Sequence, residues 1–174
     1  CKEYDMKAAL YPNFQKPNAL VCARKVCDVL ESAGIEVSVS ELFRNDFSDK
    51  PFVHFEDISI SAHTADFVLA IGGDGTILRC AKFLMGTDTK LLGINTGTLG
   101  FMAGLEADQL DKLKLLAEEK YEISERMTLD IAYHGEGCDI VRSALNEVSA
   151  RSSSFSICDF EVHSYDYLVG KYRA

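Results

Sequence analysis

Asp74 is the one carboxylate inside the run Gly72-Gly73-Asp74-Gly75, which joins an unbroken apolar stretch, Phe67 to Ile71, to a helical pattern that begins at Thr76. A strand, a glycine turn and a helix N-terminus together form a cradle of backbone N–H groups suited to an anion. Glycine there permits positive φ and lets a ligand approach the backbone closely. A carboxylate in the middle of such a cradle would repel a phosphate. Asp74 therefore reads as a base, a metal partner or a hydroxyl acceptor, or else as a simple cap on the helix that follows. A second glycine-interleaved stretch, Thr96-Gly97-Thr98-Leu99-Gly100-Phe101-Met102-Ala103-Gly104, suits a loop folding over a ligand. Its Phe101 is placed either to cover a ring or to pack in the core. His54 and His63 have no second ligand at metal-site spacing and read as solvated or structural.

The elements that must position these residues follow from periodicity. Phe67 to Ile71 is apolar without alternation, as in a parallel strand covered on both faces. Lys7 to Tyr11 reads as a first strand ended by Pro12-Asn13. After Pro17-Asn18, a helix carries Ala19, Ala23, Val26, Leu30 and Ala33 on one face and stops at Gly34. Ile35 to Val39 alternates as a second strand, completing a βαβ unit. Asp46 to Ile60 is weakly patterned and reads mostly as loop. Ile77, Ala81 and Leu84 mark the helix after the glycine turn, and Lys90 to Asn95 another buried strand. Ala107 to Lys120 gives the clearest amphipathic helix, with Leu110, Leu113 and Ala117 on one stripe and Leu116 beside it.

From Tyr121 the pattern becomes antiparallel. Strands are expected at Met127 to Tyr133, Cys138 to Val148, Ile157 to Ser164 and Leu168 to Tyr172, with turns at His134-Gly135-Glu136-Gly137 and Tyr165-Asp166. Ser152-Ser153-Ser154 is a short polar loop. The expected organisation is an α/β domain over 1–125, Rossmann-like with a parallel sheet, then the first strands of an all-β, sandwich-like domain over 126–174. The second domain looks unfinished, with an uncovered sheet edge after Arg173-Ala174.

Composition narrows the function classes. A formal charge of -9 argues against a nucleic-acid or anionic-membrane surface, since both want a basic face. No apolar run approaches the ~18 residues needed to span a bilayer, and no basic-then-apolar signal segment opens the chain. The six cysteines show no CxxC spacing, which points to reduced thiols in a cytoplasm and not to metal binding.

Three stretches stand together: Gly72-Gly73-Asp74-Gly75-Thr76, then Gly93-Ile94-Asn95-Thr96-Gly97-Thr98-Leu99-Gly100-Phe101, then Asn146-Glu147. In type, order and spacing they resemble the NAD kinase family, and the resemblance covers nearly the whole chain. It implies transfer of the γ-phosphoryl group of ATP, with Mg2+, to the 2′-hydroxyl of the adenosine ribose of NAD, giving NADP. Asp74 matches the family's proton acceptor, and Gly73 and Gly75 its neighbours against the nucleotide. Phe101 corresponds to the residue beside the adenine. Asn146 and Glu147 match the pair that contacts the NAD ribose and adenine; an amide beside a carboxylate offers donors and acceptors to a diol and an exocyclic amine. Arg79, one turn into the helix, is placed to reach phosphate or to sit on the surface, and Arg173 falls near a basic position used by some members. No protein metal-ligand set is implied. A cytoplasmic homo-oligomer, dimer or tetramer, is.

The resemblance departs at the C-terminus. Members continue with Asp-Gly and a Thr-Pro-Thr-Gly-Ser-Thr-Ala-Tyr-like loop, and neither is in this chain, so residues 1–174 alone are expected to be inactive. The alternatives are a diacylglycerol- or sphingoid-type or phosphofructokinase-like kinase sharing the Gly-Gly-Asp-Gly turn, or a non-catalytic NAD(P)-binding module. Asn95 to Phe101 disfavours the former, and Asp74 the latter. A dehydrogenase is weaker still, because Gly72-Gly73-Asp74-Gly75 is not G-x-G-x-x-G.

Overall fold

The computed structural model describes residues 4–16, 18–97, 100–135, 137–149 and 157–173. Pro17, Thr98, Leu99, Glu136 and the loop Ser152-Ser153-Ser154 lie outside them. The chain forms two compact units, Cys1–Thr128 and Leu129–Ala174.

In the first unit the order is β1 (Met6–Pro12), α1 (Ala19–Ser32), β2 (Ile35–Val39), β3 (Val53–Phe55), α2 (Ile58–Thr64), β4 (Phe67–Gly72), α3 (Asp74–Leu84), β5 (Lys90–Asn95) and β6 (Leu105–Glu106). The six strands make one parallel sheet ordered β3-β2-β1-β4-β5-β6. The apolar run of β4 is explained by what it faces. Phe67, Leu69 and Ile71 pack with Val26, Cys27 and Leu30 of α1 and with Leu110 and Leu113. Val68 and Ala70 point the other way, onto Ala62, Ile77, Cys80 and Leu84 of α2 and α3. With both faces covered, alternation has no polar side to show. Gly34 ends α1 with φ +75°, a conformation costly for residues with a Cβ.

Three readings are corrected. Asp46 to Ile60 is not mostly loop: a 3-10 helix covers Glu41–Phe47, β3 pairs Val53 with Val37 at the sheet rim, and α2 starts at Ile58. The Asp57 carboxylate caps α2 by accepting from the Ser59 N–H at 2.8 Å. The helix over Ala107 to Lys120 shrinks to a 3-10 turn at Leu110–Leu113 followed by α4 (Lys114–Ala117). Its buried residues are Leu110, Leu113 and Leu116, a three-residue period matching a 3-10 turn, while Ala117 is exposed. Finally, α3 begins at Asp74 and not at Thr76.

The second unit holds two antiparallel hairpins: β7 (Leu129–Gly135) with β8 (Cys138–Ala144), and β9 (Asp159–Ser164) with β10 (Tyr167–Arg173). The strand read to Val148 stops at Ala144, and those read from Met127 and Ile157 start two residues later. Every residue of β9 is exposed.

Cys22, Cys27, Cys80 and Cys158 are free thiols. Burial pushes Cys27 and Cys80 up to about 12 and raises Cys22 as well. Because only the thiolate reacts, a maleimide at pH 8 is expected to label exposed Cys158 and spare these three until the chain unfolds. Peptide mapping checks this, and native-state labelling of Cys80 would contradict it. The sign of the linkage follows. Unfolded thiols ionise near 9.0 and the buried pair only near 12, so stability is kept below about pH 9 and lost as pH rises towards 12.

Candidate active site

The strand order makes the site. From β1 the chain runs outward through β2 and β3, then returns through α2 to β4 on the other side of β1. Ligands of such sheets bind beyond the carboxyl ends of the strands where the order reverses, here between β1 and β4. Asn13 follows β1 at that point, and Gly73-Asp74 follows β4. The Asn13 N–H donates to the Ile71 carbonyl at 2.9 Å, and its Nδ2 donates to Thr76 Oγ1 at 3.3 Å. The glycine turn is thus tied to the first strand.

None of Gly72, Gly73 and Gly75 adopts positive φ, contrary to expectation. A Cβ on Gly72 would collide with the Thr76 side chain, whereas Gly73 and Gly75 face open space. Gly73 is the N-cap of α3, with extended backbone and no side-chain cap bond. Its carbonyl accepts from the Thr76 N–H at 2.8 Å and the Ile77 N–H at 3.3 Å. The first two amides of a helix lack such an acceptor, which leaves those of Asp74 and Gly75 directed out of the helix start.

Asp74 therefore does not cap its helix. Its Oδ2 accepts from the Phe101 N–H at 3.1 Å and its Oδ1 from the Met102 N–H at 3.2 Å. Gly100 lies against the same carboxylate, so close that a Cβ would collide with Oδ1. The 96–104 loop thus fixes both oxygens of a half-buried carboxylate. Phe101 itself is 97% exposed, which removes the core-packing reading. Arg79 is exposed on the second turn of α3.

At the root of the loop, β6 pairs Leu105 with Ile94 and Glu106 with Asn95, a strand that periodicity did not reveal. Buried Asn95 donates from Nδ2 to Glu106 Oε2 at 2.9 Å and accepts the Gly97 N–H on Oδ1 at 3.2 Å. Thr96 Oγ1 is buried without a hydrogen-bond partner among the described residues.

Asn146 and Glu147 belong to the second unit, exposed in and just after the bend that follows β8. Arg173 is engaged across its own hairpin: its Nε and Nη2 donate to Asp159 at 2.7 and 3.1 Å, which holds that carboxyl below its usual range. Concavities of about 240 Å³ by Lys7, Glu36 and His54 and about 420 Å³ by Asp66, Asp88 and Lys90 include no residue of the 72–76 turn or the 96–104 loop. They adjoin the starts of β1, β4 and β5, so their volume says nothing about the surface at Asp74.

Residues 9–121 match the family model described as the ATP-NAD kinase N-terminal domain. The chain belongs to the NAD kinase family. It is 37% identical over 164 residues to an NAD kinase of Corynebacterium diphtheriae, covering 90% of this chain and 51% of that protein. With an NAD kinase of Christiangramia forsetii it shares 31% over 178 residues, 97% of this chain and 60% of that protein. The chain thus spans about half the length of these relatives. Its fold is similar to that of yeast NADH kinase crystallised with NADH, with a TM-score of 0.72 at 17% identity, over 83% of this chain and 48% of that one. The lipid-kinase and non-catalytic alternatives gain no support from these matches.

For this NAD kinase family chain, the structure adds contacts that the sequence did not mark. Asn13, Gly100, the Met102 amide and Glu106 all bear on Asp74 or its loop. The cue for Asn95 was an amide closing an apolar strand; Asn13 had none. No cluster of three or more His, Cys, Asp or Glu able to hold a metal occurs among the described residues, and none of their helices is long and apolar enough to cross a membrane.

Proposed function

We propose that the whole protein of which this chain is part is an NAD kinase, an ATP-dependent phosphotransferase that makes NADP from NAD. The observation that carries the reading is Asp74 at the sheet's reversal point with both carboxylate oxygens aimed by backbone N–H groups of the 96–104 loop. In this reading the 2′-hydroxyl of the adenosine ribose gives its proton to Asp74 as its oxygen bonds to the γ-phosphorus, and ADP leaves with the electrons of the broken P–O bond. The Asp74 and Gly75 amides at the helix start, with open space above Gly73 and Gly75, suit phosphate oxygens approaching the backbone. Arg79, one turn along, lies on the same helix as a further phosphate contact. Phe101, exposed beside the base, suits stacking on an adenine.

Magnesium fits as an ion carried by the nucleotide: Asp74 is committed to the proton, and no cluster of three or more His, Cys, Asp or Glu able to hold a metal occurs among the described residues. Such an ion would be held by substrate phosphates and water. There it would offset charge on the transferring phosphoryl oxygens. Asn146 and Glu147 supply the polar contacts to NAD. Arg173 is assigned to the nucleotide more weakly, since its guanidinium already pairs with Asp159. The assembly is proposed as a cytoplasmic homo-oligomer without nucleic-acid or membrane partners.

The full-length protein incubated with ATP, Mg2+ and NAD tests the reading. NADP should accumulate with one ADP per turnover; its absence, with the protein folded, would remove the assignment. Glu147→Ala should raise KM for NAD more than it lowers kcat, because a contact to NAD that is the same in ground state and transition state counts in KM. A collapsed kcat at unchanged KM would instead place Glu147 in the chemistry.

A further inference from the structure

Asp74 receives its two N–H donors from a loop that must itself be held. That loop leaves the sheet after Asn95 and returns at Leu105, and its ends meet in register: Ile94 with Leu105, Asn95 with Glu106, and the Gly104 N–H on the Gly93 carbonyl at 3.0 Å. The strand that closes it, β6, is only two residues long, so two backbone pairings are all the ladder supplies. A further tie is between side chains. Asn95 is 1% exposed, and a buried amide is costly unless its groups are met. Glu106 Oε2 meets Nδ2 at 2.9 Å, while Oδ1 takes the Gly97 N–H and turns the chain into the loop. At the other end of the loop, Gly100 lies against the Asp74 carboxylate, and Phe101 and Met102 donate to it.

We propose that Glu106 is a positioning residue for Asp74: through Asn95 it closes the 96–104 loop, and the closed loop sets the position and plane of the base. This rests on the functional reading above. A carboxylate released from two backbone donors can swing about its χ angles, and displacement of a reacting group by about 1 Å can cost ~10²-fold in rate.

The test uses the full-length protein with ATP, Mg2+ and NAD. Glu106→Ala should lower kcat by about 10–100-fold while KM for ATP changes little. Glu106→Gln keeps an oxygen acceptor for Asn95 and should retain most of kcat. Asn95→Asp sets two carboxylates against each other and should lower kcat as Glu106→Ala does. Adding Glu106→Gln to Asn95→Asp restores a donor and an acceptor with their roles exchanged, and kcat should recover. Full kcat in Glu106→Ala, or a double variant no faster than Asn95→Asp alone, overturns the proposal. If Glu106→Ala fails to fold, the Asn95→Asp pair decides alone. Asp74→Asn run in parallel separates the two layers. Should it stay active, the functional reading itself falls; should it be inactive while the Glu106 and Asn95 variants keep full kcat, only the positioning role falls.

Discussion

Asp74→Asn in the full-length protein is expected to lower turnover by ~10²–10⁴-fold, the usual loss when a general base is removed, with NAD binding still measurable. The substitution preserves shape but not chemistry. An amide cannot take the 2′-hydroxyl proton, and it also fits the loop less well. Asp74 offers an oxygen to each of the Phe101 and Met102 N–H groups. Asparagine offers one oxygen and one NH2, so one backbone donor would face another donor. Single-turnover rates and NAD titration on the same protein separate the two losses: chemistry should collapse, and affinity should fall only modestly. Turnover retained near the parent rate would exclude Asp74 as the base.

The 174-residue chain by itself is expected to make NADP at a negligible rate beside the full-length protein, even with Asp74 in place. Its two units should also differ sharply in amide exchange. In β1 and β4 each strand is paired on both sides and covered on both faces. Among the described residues β9 and β10 pair only with each other, and Phe160, Tyr165, Tyr167, Val169 and Tyr172 are exposed. Isolated two-stranded pairs are marginal in water. Local opening there should cost almost nothing, whereas the central strands should exchange only through global unfolding, a contrast on the order of 10³-fold or more. The bend bearing Asn146 and Glu147 shares that weakness, so the NAD contacts assigned to it would be poorly ordered. Turnover comparable to the full-length protein, or uniform protection across both units, would refute this.

Some of this was legible in the sequence for definite physical reasons. Ile35–Val39 and Lys90–Asn95 were read with the bounds they adopt, because an alternating run in the first and a short, mainly apolar run in the second stand out between turn residues. Segments α2, β3 and β6 were missed because seven, three and two residues are too few to show a period. Ala107 to Lys120 misled in the opposite way: leucines three apart fit a helical stripe as well as a 3-10 turn, and burial alone separates the two. Within the site, Asp74 stood out because glycines surround it. The donors that hold it did not, because a backbone N–H carries no residue-type signature. Asn13 meets Thr76 across 63 residues of chain, a contact no local window contains.

The central place of β1 also shapes how the chain is made. Its register partners in β4 lie 59 residues further on, Ala8 opposite Phe67. On a ribosome adding ~5–20 residues per second, that strand waits ~3–12 s for its second neighbour after it is synthesised. Late in this interval β1, β2 and β3 have α1 for one face, while α3, which covers the other with α2, is still to come. The same arriving segment, Phe67 to Asp74, gives β1 its second neighbour and delivers the carboxylate, ahead of β5 and β6. For the nascent polypeptide, pairing of the central strand on its second side and appearance of the base are one event.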